Sequence, residues 1–307
     1  MKYGFGIDLG GTTAKLAFFQ ENGRLLHKWD IPTDTSDGGS HILPDIAATI
    51  EQYISENNIS KADLLGIGIG VPGPVLPDGT VNRCVNLGWG VFNIEKALQA
   101  LTDLPVKAAN DANVATLGEC RLGNYQNMVL VIFGTGVGGG IVLNGQLLPG
   151  ATGAAGEMGH MVLCPEEAEV CSCGKRGCVE QYCSAPGILR IAKNHLAQSN
   201  APSLLRSFES LSCKDIFDTA AQGDPLAQTV LEQVYDYMGQ FLGNVCSLVN
   251  PQWIVLGGGV SYAGPPLLEG IRRHFSKYVF HAAAKVEFTL ATLGNDAGIY
   301  GAFQLLL

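Results

Sequence analysis

The chain has 307 residues, 47% hydrophobic and 15% charged: enough apolar material for a sizeable core and too little charge for a disordered chain. A formal net charge of −9 excludes holding phosphate backbones by broad electrostatic attraction, so no nucleic-acid partner is expected. The opening MKYGFGIDLGG places an acidic residue and glycines where a leader peptide needs its apolar stretch, and no later apolar run reaches the ~20 residues of a spanning helix, so no membrane contact and a cytoplasmic location are expected.

In chain order, residues 3–9 (YGFGIDL) read as a buried strand entering a glycine turn, and 14–19 (AKLAFF) as the next strand, closed by a hairpin at NGRLL. Residues 41–58 have helical apolar spacing. LLGIGIGVPGPV is a strand broken by a Gly-Pro loop, 94–101 a short helix, and PVKAANDANVATLGEC a short strand, a loop and a helix. The opening then repeats: MVLVIF at 128–133 is a strand, GTGVGGG a glycine turn, and IVLNGQLL a strand with a hairpin close. A loop-rich segment (150–184), helices near 186–200, 214–222 and 225–249, a strand at WIVLGGGVS, a helix and a final helical stretch follow.

One supersecondary unit occurring twice implies duplicated α/β lobes facing each other across a ligand cleft. The length also exceeds one typical domain of ~100–150 residues. The expected division is a smaller lobe over 1–110 and a larger one over 111–307, the closing helix being able to pack back onto the first lobe.

The turn Asp8-Leu9-Gly10-Gly11-Thr12-Thr13 offers unshielded backbone N–H groups, two hydroxyls and a carboxylate. Glycines let a backbone wrap phosphate oxygens, and a carboxylate beside phosphate calls for a divalent cation, so Asp8 points to Mg²⁺ at a nucleotide. Taken alone, DLGG reads equally well as a tight hairpin. The second turn, Thr135-Gly136-Val137-Gly138 within 134–140, repeats the chemistry without the carboxylate, and two matching turns are the stronger argument. Each is followed by a strand, unlike a dinucleotide fingerprint or a P-loop. Gly258 in the later Gly257-Gly258-Gly259 could lie against a base or ribose, or simply end a strand.

Between the turns lies Asn110-Asp111-Ala112-Asn113. A sugar hydroxyl needs a positioned carboxylate to accept its proton during phosphoryl transfer, which suits Asp111; the competing role is a helix cap. Asn86, Glu157, His160 and Glu180 are amides, acids and an imidazole in loops, the groups that read hydroxyls, though each singly could be a cap or surface polar residue. Three of the nine cysteines, Cys171, Cys173 and Cys178, fall within eight residues with interleaved glycines, the pattern of a metal loop rather than a disulfide framework. His160 is the natural fourth ligand of a structural zinc site and Cys164 its rival; free thiols or a local disulfide are the alternative.

These segments together, DLGGTT, VPGP at 71–74, NLGW at 86–89, NDAN, GTGVGGG, GEMGH at 156–160, CSCGKRGCVE and LGGG, resemble the ROK family of bacterial sugar kinases and repressors over essentially the whole chain, most closely its ATP-dependent glucokinases. The resemblance implies an actin-like, ribonuclease H-like fold of two α/β lobes closing on a sugar. It implies Asp111 as catalytic base and sugar contacts from Gly73, Asn86, Asn110, Asp111, Glu157, His160 and Glu180. ATP with Mg²⁺ would be held by Asp8, Gly10, Gly11, Thr12, Thr13, Lys15, Thr135, Gly136, Gly138 and Gly258. Zinc would be held by His160, Cys171, Cys173 and Cys178, with the second ring nitrogen of His160 turned to a sugar hydroxyl. Many relatives carry lysine where Thr13 stands, which leaves open the cation facing the phosphates; Lys15 is nearby.

The expected activity is ATP-dependent phosphorylation of a hexose 6-hydroxyl, with glucose ahead of N-acetylmannosamine, fructose, mannose and allose. Repressors of the family resemble this chain plus an N-terminal helix-turn-helix; with the phosphate turn already at Asp8, the repressor reading is not the expected one, and a non-catalytic sugar sensor is the remaining alternative. A homodimer or higher homo-oligomer is expected.

Overall fold

A computed structural model describes all 307 residues. In the first half, strands β1 (Tyr3–Leu9), β2 (Thr13–Gln20) and β3 (Leu25–Pro32) form an antiparallel meander. Helix α1 (Ile42–Glu56) leads to β4 (Leu64–Val71), the ribbon β5 (Thr80–Cys84) and β6 (Trp89–Asn93), α2 (Ile94–Thr102), β7 (Val106–Asn110) and α3 (Asp111–Gly123). The sheet order is β3-β2-β1-β4-β7, with β4 parallel to both β1 and β7.

The second half repeats the plan. Strands β8 (Met128–Phe133), β9 (Val137–Leu143) and β10 (Gln146–Leu147) are followed by the helices α4 (Glu180–Cys183), α5 (Ala185–Gln198), α6 (Cys213–Ala221) and α7 (Pro225–Val249). Then come β11 (Trp253–Gly257), α8 (Pro265–Phe275), β12 (Glu287–Leu290) and α9 (Ala297–Gln304). The sheet β10-β9-β8-β11-β12 has the same sequence of antiparallel and parallel neighbours as the first.

Strand alternation explains how the first sheet is covered. Phe5, Ile7 and Leu9 of β1, with Leu16 and Phe18 of β2, face the core closed by Ile42, Ile46 and Ile50 of α1, which recur at helical spacing. The opposite face of β1 and β2 carries Asp8, Lys15, Ala17 and Phe19, and there Phe19 stacks on Phe303 of α9 with ring centroids 4.8 Å apart. A side chain at Gly6 or Gly68 would collide with the carbonyl of Ile299 or Ala302, so glycine is what admits α9 to this surface.

Contacts divide the chain into two compact units, residues 1–126, 140–156 and 293–307 in one, and 127–139 and 157–292 in the other. The division therefore does not fall near residue 110: α3 stays with the first unit because it packs on α9, with Val114 and Gly118 against Gly301. Three local expectations also change. Residues 106–123 pass from strand to helix with no loop, β9 starts inside the glycine run, and the β5–β6 ribbon and β12 were not anticipated. No helix is long and apolar enough to cross a membrane.

Candidate active site

The pairing of β4 with β7 sets Val71 opposite Asn110, so the VPGP and NDAN segments leave the sheet side by side. Asn110 has extended backbone and is the N-cap of α3: its Oδ1 accepts from the amide of Asn113 at 3.2 Å, and its Nδ2 donates to the Gly73 carbonyl at 3.4 Å. Asp111 is the first helical residue, and its Oδ1 accepts from the Ala112 amide at 2.8 Å. The cap role weighed for Asp111 thus belongs to its neighbour. Behind the pair, the Cys84 thiol donates to the Pro72 carbonyl at 2.8 Å; burial first, and then the nearby charge of Asp111, push its pKa up.

Asn86 lies exposed on the 3₁₀ turn joining β5 to β6, with its carbonyl beside the α-carbon of Gly11. The ribbon is what carries this amide to the first glycine turn. Asn113, which sequence reasoning quoted without a role, is 3% exposed, and its Oδ1 accepts no hydrogen bond.

In the first turn the Gly10 amide donates to the Thr13 carbonyl at 3.0 Å. Thr33, which the sequence did not single out, clamps it from β3's end: its hydroxyl donates to the Gly10 carbonyl at 2.8 Å and its amide to the Thr12 carbonyl at 3.0 Å. Gly11 and Thr12 are left exposed. Burial raises the pKa of the Asp8 carboxyl, and Lys15, its register partner on β2, opposes the shift. Any side chain at Gly298, near the start of α9, would strike the Asp8 carboxylate. Lys15 itself donates to the Asn295 carbonyl at 2.9 Å, so its ammonium is anchored toward the segment before α9.

In the second turn the Gly134 amide donates to the Gly136 carbonyl at 2.9 Å, Thr135 is exposed, and Gly138 is half-buried on β9. Gly258 has φ of 81°, and a side chain there would meet the carbonyl of Phe133, which sets the end of β11 beside the end of β8. Glu180, the first residue of α4, accepts the Val137 amide on Oε2 at 3.1 Å and the Ser172 hydroxyl on Oε1 at 3.2 Å. Glu157 is exposed just before the 3₁₀ turn Met158–His160.

That turn presents His160 to the cysteine loop. One ligand atom from each of His160, Cys171, Cys173 and Cys178 lies within 4.8 Å of every other. The Cys171 sulfur is 3.7 Å from Nδ1 of His160, and the sulfurs of Cys173 and Cys178 are 3.6 Å apart. Tetrahedral zinc with Zn–S of ~2.3 Å and Zn–N of ~2.0–2.1 Å requires S···S edges of about 3.8 Å and S···N edges of about 3.6 Å. The donor set therefore fits, whereas a disulfide needs sulfurs ~2.0 Å apart. Cys164, the rival fourth ligand, stands outside the group; its carbonyl fills the space beside Gly177. Burial and then the neighbouring thiols push Cys178 up to about 12, while the Lys175 amide lowers Cys173. Thiols packed this closely ionise together only around a cation.

Arg190 of α5, another residue missed in the sequence, holds the approach to this loop. Its guanidinium donates to Glu167 at 2.8 Å, to Glu169 at 3.3 Å and to the Gln181 carbonyl at 3.0 Å, and lies over the Tyr182 ring.

The sequence model of the ROK family matches residues 4–307. The chain belongs to the ROK family. Its fold is accordingly the actin-like, ribonuclease H-like α/β fold built from two such units. Among ROK relatives, the glucokinase of Halalkalibacterium halodurans is 43% identical over 96% of this chain and 92% of its own. The glucokinase of Thermotoga maritima is 32% identical over 98% of this chain and 96% of its own. The crystal structure of a ROK glucokinase from Streptomyces griseus, in complex with glucose and AMPPNP, superposes with a TM-score of 0.76 at 31% identity, covering 99% of this chain and 98% of that one.

Proposed function

We propose that this ROK protein transfers the γ-phosphoryl group of ATP to the 6-hydroxyl of a hexose, with glucose as the preferred acceptor. The observation that carries the reading is the junction of β7 and α3: Asn110 caps the helix and Asp111 is its first residue, a carboxylate at a helix start where a proton acceptor is needed. Relatives of this length and identity that are glucokinases support the choice of sugar.

Asp111 accepts the proton of the 6-hydroxyl as that oxygen bonds to the γ-phosphorus and the bond to the β-phosphate bridging oxygen breaks, releasing ADP. Gly73, Asn86, Asn110, Glu157, His160 and Glu180 read the remaining hydroxyls. The turns containing Gly10, Gly11, Thr12, Thr13, Thr135, Gly136 and Gly138 cradle the phosphates, with Lys15 and Gly258 at the nucleotide and Asp8 directed to its Mg²⁺, which supplies charge neutralisation. His160, Cys171, Cys173 and Cys178 would hold structural zinc. Nδ1 of His160 faces the thiols, so Nε2 is the nitrogen assigned to a sugar hydroxyl.

The test is a coupled ADP-release assay over glucose, N-acetylmannosamine, fructose, mannose and allose. Glucose is expected to give the highest kcat/KM and glucose 6-phosphate as product. Sugar binding without ADP release for any member would replace the kinase with a sensor.

A further inference from the structure

We propose that Glu180 is also a positioning residue for the second glycine turn, so that one carboxylate serves both substrates. The inference rests on the proposed reading in which Glu180 contacts the sugar and the turn contacts the nucleotide.

The turn is held at its two ends by the start of α4 and the start of α5. At its start the Gly134 carbonyl accepts from the amide of Ala185, the first residue of α5, at 2.9 Å; at its end the Val137 amide donates to Glu180, the first of α4, at 3.1 Å. The carboxylate lies so close to the α-carbon of Gly136 that any side chain there would collide with Oε2. A side chain at Gly136 would therefore displace the Glu180 carboxylate from the Val137 amide. The other oxygen accepts the Ser172 hydroxyl at 3.2 Å.

Helix α4 is itself fixed: the Gln181 side chain accepts the Cys178 amide at 3.1 Å and donates to the Glu169 carbonyl at 3.1 Å, while Arg190 grips the Gln181 carbonyl. A hydrogen-bonded path therefore runs from the cysteine loop through α4 to the turn. An ionised carboxylate has about four acceptor sites. The Val137 amide, the Ser172 hydroxyl and, at 3.8 Å, the Cys171 thiol occupy three of them. The last remains for a sugar hydroxyl, while Thr135, exposed in the turn, remains for phosphate.

The experiment measures binding of a non-hydrolysable ATP analogue with Mg²⁺ in the absence of sugar, and glucose binding separately, on the full protein. Glu180→Ala should weaken nucleotide binding about tenfold, which is about 1.4 kcal/mol. Glu180→Gln, whose amide oxygen can accept the same Val137 amide, should stay within about twofold of wild type for nucleotide. Both should weaken glucose.

Unchanged or tighter nucleotide binding in Glu180→Ala overturns the positioning role, as does equal weakening in both variants, which would assign the effect to charge alone. Unchanged glucose affinity in both would instead remove Glu180 from the sugar reading and leave the nucleotide result standing. Should Glu180→Ala fail to fold, the Val137 amide proton of the wild type decides: its resonance should move on adding glucose alone, because the sugar draws on the same carboxylate. An unmoved resonance overturns the link.

Discussion

Replacing Asp111 by asparagine separates its chemical role from its structural one. The new side chain keeps an oxygen that can accept the Ala112 amide, and the helix cap is supplied by Asn110, so neither hydrogen bond at the start of α3 need be lost. Removing a negative charge from a helix N-terminus costs about 0.3–1 kcal/mol, so the folded state should survive with a melting temperature lowered by only a few degrees. A general base contributes about 10²–10⁴ in rate, or roughly 3–5 kcal/mol of barrier. Turnover should fall by that factor in the coupled assay, with glucose still binding by calorimetry. An Asp111→Asn protein retaining more than about a tenth of wild-type turnover would refute the base assignment, because no general-base contribution is that small. So would a loss of activity that merely tracks a loss of folded protein.

Cys173→Ala should abolish a stoichiometry of one zinc per chain by metal analysis and raise KM for the sugar, since the cysteine loop supports His160 and Glu180; wild-type protein purified without zinc would contradict this. Asp8 has a folded pKa above its ordinary 3.8, so its burial penalty is absent at low pH and grows as pH rises past that value. Asp8→Asn should therefore melt higher than wild type at pH 7 without ligand, lose that advantage toward pH 3, and lose Mg-nucleotide binding; a lower melting temperature at pH 7 would reverse the sign. Glu167 is the opposite case, held at about 2 by Arg190 against its usual 4.5, so its stabilisation is complete above 4.5 and lost as pH falls toward 2. Glu167→Gln should destabilise at pH 7 and match wild type near pH 2 in denaturant titrations.

What could be read in the sequence was whatever is local. The strands at 3–9 and 128–133 announce themselves by unbroken apolar runs, α1 by its isoleucine spacing, and the duplication by the matching glycine turns. His160, Cys171, Cys173 and Cys178, whose ligand atoms the structure brings within 4.8 Å of one another, lie close enough in sequence to be grouped by spacing. Residues that act through distant partners were hidden: Thr33 clamps a turn more than twenty positions earlier, and Arg190 reaches back to Glu167. The β5–β6 ribbon was missed because TVNRC and WGVFN are half exposed and joined by a 3₁₀ turn without a hairpin signature. Strand alternation sets Lys15 beside Asp8 on the α9 face, where it donates to the Asn295 carbonyl, a partner too distant along the chain for the sequence to show.

The seat of α9 against β1 and β4 bears on how the protein is made. The strands of the first sheet leave the ribosome long before residues 297–304 exist, and until then Gly6, Gly68 and Phe19 lie uncovered. Residues 157–292, by contrast, join 127–139 in a unit with no later segment to wait for. Vectorial synthesis should therefore mature the second unit first and leave the first unit, though earlier in sequence, as the last to resist protease on stalled nascent chains.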